Sequence, residues 1–306
     1  MLGGIDLGGT KIEATLFAPD LTARETRRTA TPGQDYDALI RALAEQVAWL
    51  KGHAGGPLPV GVGIPGLYNA ATGQAFTANL PASGRDIRRD IVAATGQAIT
   101  FENDCNCFAL SEAVGGAGAD ARSVFGLILG TGVGGGLVLD GHLIRDHNGV
   151  SGEVGHVALP ADLIAELGLP LVRCGCGRLG CYETYVAGPG MTRIAQALGA
   201  GAMSPVEITR ARAQATGDGA AQEVWQCWCR IAARLMGMLQ ATMDPAAIVL
   251  GGGLSNIEGI ADALNGAIGD VIMDNTLAPV VRVASFGDAS GARGAAISAL
   301  HAQETR

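Results

Sequence analysis

The sequence predicts an α/β protein made of two related lobes with a cleft between them. Its 306 residues exceed the usual length of a single domain and suit two lobes, each with its own core. An apolar strand, a glycine-rich turn and a returning strand occur twice, over residues 2–19 and again over 124–141. Helical patterns alternate with these strands, which is typical of a mixed sheet covered by helices.

The elements predicted in the first half are runs of apolar periodicity bounded by glycine, proline and polar turns. In chain order they are strands at 2–7, 12–19 and 24–30, a helix at about 35–51, a buried strand ending at 60–64, a helix at about 85–96 and a strand at 98–102. The first two strands are joined by Gly8-Gly9-Thr10-Lys11. The charged runs at 24–28 and 85–90 contain both signs, and we interpret them as solvated faces.

The second half repeats the opening pattern and then becomes richer in loops and helices. Its predicted elements are a helix from 103 through 113, a strand at 124–129, a glycine turn at 130–136, a returning strand at 137–141, helices from about 189 to 215, a long helix at about 219–243, a buried strand at 246–250 and a last helix at 290–302. A loop-rich segment with cysteines precedes the helices, and Gly251-Gly252-Gly253 follows the buried strand.

The composition favours a globular protein that acts on small molecules. Hydrophobic residues make up 48% of the chain and charged residues 16%, and the formal net charge is −8. A chain of this charge has no broad positive field to attract nucleic acid or an anionic membrane. No apolar run reaches the length of a membrane-spanning helix, and the N-terminus lacks the pattern of a signal peptide. We therefore expect a cytoplasmic protein with no nucleic-acid or membrane partner.

A cysteine-rich segment predicts a metal site. Cys174, Cys176 and Cys181 lie close together in sequence, and His156 precedes them; three thiols and one imidazole form a ligand set of closed tetrahedral zinc sites. The total of seven cysteines is odd, which also favours metal in a reducing cytoplasm over disulfides. The other cysteines lie in pairs spaced i, i+2 on predicted helices, and we interpret them as core or chance: Cys105, Cys107, Cys227 and Cys229.

Two glycine segments match the dinucleotide-binding pattern G-x-G-x-x-G, at 61–66 and 130–135. That fingerprint must follow a strand and open a helix. The second match is followed by another strand, and the first runs into Pro65-Gly66. No Gly-Lys dipeptide occurs in the chain, which excludes a P-loop. A nicotinamide, flavin or P-loop enzyme is therefore not expected.

The glycine hairpins have two remaining interpretations. Glycines can simply make tight hairpins, or they can leave backbone N–H groups open to an anion. Two such loops that each contain a threonine, Thr10 and Thr131, and a third glycine cluster at 251–253 favour the second interpretation. The three loops could hold a β-phosphate, a γ-phosphate and a nucleoside, and Asp6 could orient a magnesium-bound water.

These motifs resemble a known family. The segments Asp6-Leu-Gly-Gly-Thr-Lys11, 129–136 and 250–253 look like the nucleotide-binding motifs of actin-like sugar kinases. With Glu153-x-x-His156 and the cysteine run, nearly the whole chain resembles the ROK family of sugar kinases and repressors. The resemblance implies two actin-like (ribonuclease H-like) lobes with an interlobe cleft and a structural zinc loop. The small lobe would comprise 1–103 plus 290–306, and the large lobe 104–289.

The resemblance implies phosphoryl transfer from ATP, with Mg²⁺, to a sugar hydroxyl, and it implies roles for individual residues. Asp104 would be the catalytic base, although on spacing alone it is at least as good a helix N-cap. Asn79 could equally be a turn residue before Pro81. The implied sugar ligands are Asn79, Asn103, Asp104, Glu153, His156 and Glu183. The implied nucleotide-binding residues are Asp6, Gly8, Gly9, Thr10, Lys11, Gly130, Thr131, Gly132, Gly251, Gly252 and Gly253.

In this family context the zinc would be structural. Its ligands would be His156, Cys174, Cys176 and Cys181, which leave no open position for an activated water. One nitrogen of His156 could bind zinc while the other donates to a sugar oxygen. Because Glu183 follows Cys181 by two residues, the metal would also hold that carboxylate in place.

The segments at 78–84, 103–113 and 251–256 look most like the bacterial N-acetylglucosamine kinase branch, which would form the sugar 6-phosphate. Fructokinase, glucokinase and N-acetylmannosamine kinase of the same family remain alternatives, as does a non-catalytic sugar-sensing regulator. A repressor would need a helix-turn-helix domain ahead of Asp6. Cys105 and Val154 stand where the family usually has alanine and an aromatic residue, which affects the expected substrate range. The family suggests a homodimer.

Overall fold

The computed structural model describes residues 1–69, 71–77, 79–144, 147–214 and 219–304. Ala78, the end of the helices predicted to reach 215 and the last two residues of the predicted small lobe lie outside this part of the chain. The chain forms two compact units. The first unit comprises 1–119, 136–151 and 286–306, and the second unit comprises 120–135 and 152–285.

Strands and helices alternate along the chain. The strands are β1 Leu2–Leu7, β2 Lys11–Phe17, β3 Ala23–Ala30, β4 Val60–Ile64, β5 Leu67–Asn69, β6 Gln74–Phe76, β7 Thr100–Asn103, β8 Ser123–Leu129, β9 Val133–Leu139, β10 His142–Leu143, β11 Ala247–Gly251 and β12 Val280–Val283. The α-helices are α1 Tyr36–Ala54, α2 Ile87–Thr95, α3 Asp104–Ala113, α4 Ala161–Glu166, α5 Glu183–Val186, α6 Gly188–Ala197, α7 Pro205–Arg212, α8 Gly219–Met243, α9 Ile260–Ile268 and α10 Ser290–Glu304.

The first unit contains a five-stranded sheet with the order β3-β2-β1-β4-β7. β1 pairs antiparallel with β2 and parallel with β4, so the predicted mixed sheet is confirmed. α1 begins after Asp35, whose side chain accepts a hydrogen bond from the amide of Ala38, and it ends at Gly55 in the left-handed conformation (φ 76°). The helix buries Leu39 and Leu43 against the sheet, as expected of an amphipathic helix.

Helix α10 packs closely on this sheet because glycines face its backbone. A Cβ added at Gly4 or at Gly61 would lie 1.8 Å from a carbonyl oxygen of α10. Gly294, within α10, would meet the backbone of Cys107 at the same distance. These positions therefore require glycine, and the close contact joins α10 to α3 as well as to β1 and β4.

Buried polar groups add to the contact between α3 and α10. The carboxylate of Glu112 is fully buried and accepts hydrogen bonds from the amide of Phe286 and the hydroxyl of Ser290, both at 2.9 Å. The guanidinium of Arg293 donates to the carbonyls of Ser111 and Val114 at 2.6 Å. Helix α3 is therefore part of the first unit, whereas the predicted small lobe ends at residue 103.

The other five-stranded sheet has the order β10-β9-β8-β11-β12. β11 lies parallel to both β8 and β12, and α8 packs against α6, α7 and α9. The predicted long helix and the buried strand before Gly251 are confirmed. The short elements α4, α5, α9, β10 and β12 and the hairpin of β5 and β6 were not predicted.

Both predicted boundaries of the returning strand, 137 and 141, are wrong. The strand begins at Val133, because Gly134 to Gly136 adopt extended backbone and pair within the sheet. It ends at Leu139, because Asp140 and Gly141 have φ values of 50° and 77° and form a turn.

The helices predicted between 189 and 215 are α6 and α7. The break between them contains Gly199 and Gly201, which have φ values of 78° and 80°. Ser204 then starts α7 with a capping box to Glu207. The left-handed glycines and the cap together fix where one helix ends and the next begins.

No helix in the described ranges is both long and apolar enough to cross a membrane.

Candidate active site

Two partly buried carboxylates, those of Asp6 and Asp104, interact in the first unit. Asp6 lies near the end of β1, and burial, followed by the charges of Asp104 and Glu13, raises its pKa to about 6. Burial also raises the pKa of Asp104, while a hydrogen bond from the amide of Cys105 at 2.9 Å opposes the shift. A Cβ added at Gly291 in α10 would lie 2.8 Å from Cγ of Asp6. The bare backbone of Gly291 therefore makes room for this carboxylate.

The predicted alternative that Asp104 is a helix N-cap is wrong. Asn103 is the N-cap of α3, and its side-chain oxygen accepts from the amide of Asn106 at 3.1 Å. Its amide nitrogen donates to the carbonyl of Gly66 at 2.8 Å. The carboxylate of Asp104 accepts instead from the amide of the next residue, Cys105. Asp104 occupies the first turn of α3, where the helix dipole favours a negative charge.

The first glycine hairpin is held by hydrogen bonds at its base. Gly8 donates its amide to the carbonyl of Lys11 at 2.9 Å, and Thr31 donates its hydroxyl to the carbonyl of Gly8 at 2.7 Å. Gly9, Thr10 and Lys11 are exposed at the tip. The ammonium of Lys11 lies 3.7 Å from the carboxylate of Glu13. The tip thus presents backbone N–H groups and one cation on a braced turn, which suits an anion.

Asn79 lies beside this hairpin. A Cβ added at Gly9 would be 3.5 Å from Cβ of Asn79. The loop that contains Asn79 is closed by Ser83, whose hydroxyl donates to the carbonyl of Thr77 at 2.6 Å. Asn79 itself is exposed. It is therefore a loop residue, as the simpler interpretation predicts, yet its amide remains open to a ligand.

The carboxylate of Asp6 gives a prediction about stability. Its folded-state pKa of about 6 lies above the ordinary value of 3.8, so its stabilising contribution is complete below pH 3.8 and is lost as the pH rises through about 6. At one pKa unit per ~1.4 kcal/mol, the loss at pH 8 is about 3 kcal/mol. We expect Asp6→Asn to be more stable than the wild type by about 1–3 kcal/mol at pH 8, and equally stable near pH 4, in urea unfolding without magnesium.

The exposed Asp37, in the first turn of α1, provides a matched control. Asp37→Asn should give no gain in stability at either pH. If Asp6→Asn and the wild type were equally stable at pH 8, the ionised carboxylate of Asp6 would not destabilise the folded protein.

In the second unit, Glu183 lies against the glycine turn between β8 and β9. Its Oε2 accepts from the amide of Val133 at 3.1 Å, and a Cβ added at Gly132 would lie 2.9 Å from the same oxygen. Gly130 donates to the carbonyl of Gly132 at 3.0 Å, and Thr131 is exposed. The absence of a side chain at Gly132 therefore lets the carboxylate of Glu183 approach the turn closely.

The third glycine cluster approaches the same turn. Gly252 has φ 80°, and a Cβ there would lie 2.5 Å from the carbonyl oxygen of Leu129 and 3.1 Å from the amide nitrogen of Gly130. Gly251 ends β11, and Gly253 begins a short 3₁₀ turn. The structure thus brings the second and third predicted nucleotide-binding loops together within the second unit.

The predicted metal ligands converge. One ligand atom from each of His156, Cys174, Cys176 and Cys181 can be chosen so that all lie within 4.8 Å of one another. Nδ1 of His156 is 3.5 Å from Sγ of Cys174, and Sγ of Cys176 is 3.6 Å from Sγ of Cys181. Burial raises the pKa of Cys174 to about 12, so binding must displace thiol protons. Three thiols and one imidazole suit Zn²⁺.

The carboxylates beside this cluster contact its histidine. Glu183 Oε1 accepts from the thiol of Cys174 at 3.4 Å and lies 3.9 Å from Nδ1 of His156. Nε2 of His156 is 3.6 Å from the carboxylate of Glu153. Glu183 therefore connects the glycine turn at 130–132 to the cysteine cluster through its two oxygens, a link that the sequence does not reveal.

Sequence reasoning missed several supporting residues. Gly291 and Gly294 could have been found as a pair of glycines inside a predicted helix, which signals close packing or close approach. Glu102 accepts from the amide of Asn103 and from the side chain of Asn106, both at 2.9 Å. Nothing local in the sequence distinguishes this carboxylate from a solvated one.

The chain matches the ROK family over residues 2–302. It belongs to the ROK family. This ROK protein is 41% identical over 298 residues to the N-acetylgalactosamine kinase AgaK of Shewanella sp. (strain ANA-3), covering 97% of this chain and 96% of that protein. It is 39% identical over 299 residues to the N-acetyl-D-glucosamine kinase of Photobacterium profundum, covering 97% and 98%.

The fold of this ROK protein is also that of a solved family member. The ROK hexokinase from Thermus thermophilus superimposes with a TM-score of 0.87 at 32% identity, covering 100% of this chain and 99% of that chain. The predicted α/β fold of the family is thereby confirmed, including its mixed sheets.

Proposed function

We propose that the protein is an ATP-dependent sugar kinase that transfers a phosphoryl group to N-acetyl-D-glucosamine and forms its 6-phosphate. One observation carries the proposal: relatives named N-acetyl-D-glucosamine kinase are 38–39% identical to it over 97% of the chain. The buried carboxylates and the three glycine loops supply the chemistry that this reaction needs.

Asp104 is the proposed general base. The sugar hydroxyl oxygen forms a bond to the γ-phosphorus as the bond from that phosphorus to the bridging oxygen breaks, and ADP leaves. Asp104 accepts the hydroxyl proton. Burial raises the pKa of this carboxyl, which makes it a better proton acceptor than an exposed aspartate, provided that the pH keeps it ionised.

The residues around Asp6 fit a magnesium ion. Its pKa is raised to about 6 by desolvation and by neighbouring carboxylates, so a cation beside it would offset the cost of its ionised form. We propose that Asp6 holds Mg²⁺, directly or through water. When bound with ATP, the ion would neutralise phosphate charge.

The glycine loops are proposed to hold the nucleotide. Gly8, Gly9, Thr10 and Lys11 would bind one phosphate through backbone N–H groups, the Thr10 hydroxyl and the Lys11 ammonium. The turn formed by Gly130, Thr131 and Gly132 would bind another. The loop of Gly251, Gly252 and Gly253 would contact the nucleoside. The close packing of the last two loops supports a single nucleotide spanning them.

The proposed sugar ligands are amides and carboxylates. Asn79 and Asn103 can each donate to and accept from a hydroxyl. The amide of Asn103 already donates to Gly66 and accepts from Asn106, which leaves one N–H and one lone pair for a sugar. Glu153 and Glu183 would accept from other hydroxyls, and Nε2 of His156 would serve a sugar oxygen while Nδ1 faces the thiols.

The zinc is proposed to be structural, bound by His156, Cys174, Cys176 and Cys181. Four protein ligands close a tetrahedral site and leave no position for an activated water. Its contribution would be to fix the orientation of His156 and the loop that carries Glu183. The homodimer and the cytoplasmic location stay predictions.

A second candidate substrate is N-acetyl-D-galactosamine, because the relative that is 41% identical is an N-acetylgalactosamine kinase. The two sugars share the 2-acetamido group and differ in the configuration at C4. Val154, one of the two departures from the family pattern, is only 4% exposed. It would therefore influence a substrate through the packing beneath Glu153 and His156 rather than by contact.

A coupled ATP-consumption assay tests the proposal across a panel of sugars: N-acetylglucosamine, N-acetylgalactosamine, N-acetylmannosamine, glucose, mannose and fructose. We expect kcat/KM to be highest for N-acetylglucosamine and at least ~10-fold lower for glucose, because a site that hydrogen-bonds the acetamido group leaves polar atoms unpaired with glucose. A preference for fructose or glucose would contradict N-acetylglucosamine as the substrate. If no sugar in the panel caused ATP consumption, the proposed kinase activity would be wrong.

A further inference from the structure

A second cluster of possible metal ligands lies in the first unit and shares no residue with the cysteine segment. One ligand atom from each of His142, His301 and Glu304 can be chosen so that all lie within 4.8 Å of one another. His142 belongs to β10, in the hairpin that follows β9, and the other two belong to the last turns of α10. None of the three belongs to the proposed sugar or nucleotide sites. We infer that His142, His301 and Glu304 form a second metal site, for a borderline divalent transition metal such as Zn²⁺.

The arrangement of the donors favours a common ion. His301 and Glu304 are spaced i, i+3, so they project from the same face of α10. The rings of His142 and His301 are stacked, with centroids 4.4 Å apart and planes 24° apart. They are therefore close together, and one ring must rotate out of the stack to bind the same ion as the other. Bonds of ~2.0–2.1 Å to zinc place tetrahedral ligand atoms ~3.3 Å apart. His142 and Glu304 are exposed and His301 is partly buried, so side-chain rotations can close the remaining distance.

The hydrogen bond of His142 selects the tautomer of its neutral ring. Its Nδ1 lies 2.9 Å from the carbonyl oxygen of Asp140, and a carbonyl can only accept, so in the neutral ring Nδ1 donates and the lone pair is on Nε2. A histidine that binds metal typically donates its other N–H to a carbonyl or carboxylate in this way, which fixes the ring and its tautomer. The hairpin turn thus presents Nε2 of His142 as a ready ligand.

The charge of Glu304 also favours a bound cation. Its carboxylate would offset part of the positive charge of an ion held by His142 and His301.

The donor set indicates the class of metal. Two imidazoles and one carboxylate suit Zn²⁺, Co²⁺, Ni²⁺ or Cu²⁺, whereas Mg²⁺ and Ca²⁺ prefer oxygen ligands. The magnesium that accompanies ATP would therefore not compete for this site. With only three protein ligands, the site is completed by water and should bind zinc more weakly than three thiolates and a histidine. A bound ion would join the hairpin at 139–143 to the C-terminal part of α10.

Zinc titration by calorimetry tests the inference on protein that has been dialysed to remove weakly held metal. We expect the wild type to bind one further equivalent of Zn²⁺ per chain in the presence of excess Mg²⁺, and its unfolding temperature to rise with added zinc. His142→Gln, His301→Gln and Glu304→Gln should each weaken this binding at least ~10-fold. Losing a hydrogen bond to a metal ligand already weakens metal binding by about that factor, and losing the ligand itself costs more.

His147→Gln is the matched control, since His147 is an exposed histidine of the same segment outside the cluster, and it should leave the titration unchanged. Circular dichroism of the metal-free variants establishes that each is folded. Absence of a further equivalent in the wild type would overturn the second site. So would a further equivalent that His142→Gln and His301→Gln both leave intact, because the ion would then lie elsewhere.

Discussion

Replacing Asp104 by asparagine is expected to lower the turnover of the kinase by roughly 10²–10⁴-fold, the range for loss of a general base. Asparagine keeps the size and polarity of the side chain, and it can still accept the hydrogen bond from the amide of Cys105 that the wild-type carboxylate accepts at 2.9 Å. It cannot take up the proton of the sugar hydroxyl. The variant should therefore fold and bind sugar with near-normal affinity, as measured by calorimetry, while ATP consumption falls.

The exposed Asp37→Asn variant is the control for this experiment, because it removes the same charge from the same unit without touching the proposed site. It should turn over normally. If Asp104→Asn retained near-normal kcat with saturating sugar and ATP, Asp104 would not be the base. If sugar affinity fell by the same factor as kcat, Asp104 would act mainly in binding the sugar.

Replacing Cys176 by serine is expected to remove the zinc of the cysteine cluster. The wild type should retain one zinc per chain after dialysis, and Cys176→Ser should retain close to none, measured by elemental analysis. Structural zinc sites contribute ~10–16 kcal/mol of apparent binding free energy in small zinc peptides, so loss of one ligand is a large perturbation. Cys176 is exposed, and its replacement therefore removes a ligand without leaving a cavity in the core.

The same variant should raise the KM for the sugar by at least ~10-fold, equivalent to about 1.4 kcal/mol of lost binding. The reason is that His156 and the loop of Glu183 lose the ion that fixes them. Cys227→Ala is the control, because Cys227 is a buried cysteine of α8 outside the cluster, and it should keep its zinc and its sugar affinity. Full activity of Cys176→Ser without bound metal would contradict a structural zinc.

The sequence predicted the fold well where a pattern is local. The strands around Gly8-Gly9, the long helix α8 and the strand before Gly251 were identified because periodicity and turn residues lie within a few positions of one another. Short elements such as α5 and β12 escaped because they span only four residues each, fewer than a reliable period requires. The exact break between α6 and α7 depends on the left-handed backbone of Gly199 and Gly201, which apolar periodicity does not locate.

Within the candidate site, the sequence alone determined the chemical types: three thiols and a histidine at metal-ligand spacing, and glycine hairpins suited to an anion. These patterns are visible in the sequence because most of the residues concerned are near neighbours in the chain, and the binding of zinc and nucleotide stays a prediction. Only the tertiary structure decided what surrounds each carboxylate. Asp6 is brought beside Asp104 and beneath Gly291 of the last helix, and Glu183 is placed between Val133 and Cys174.

The second histidine cluster shows the same limit. His142 and His301 are separated by more than half of the chain, and no sequence spacing relates them. Burial and electrostatic interaction depend on segments that meet only when the chain has folded, so the pKa of a carboxyl or the partner of an imidazole is a property of the tertiary structure.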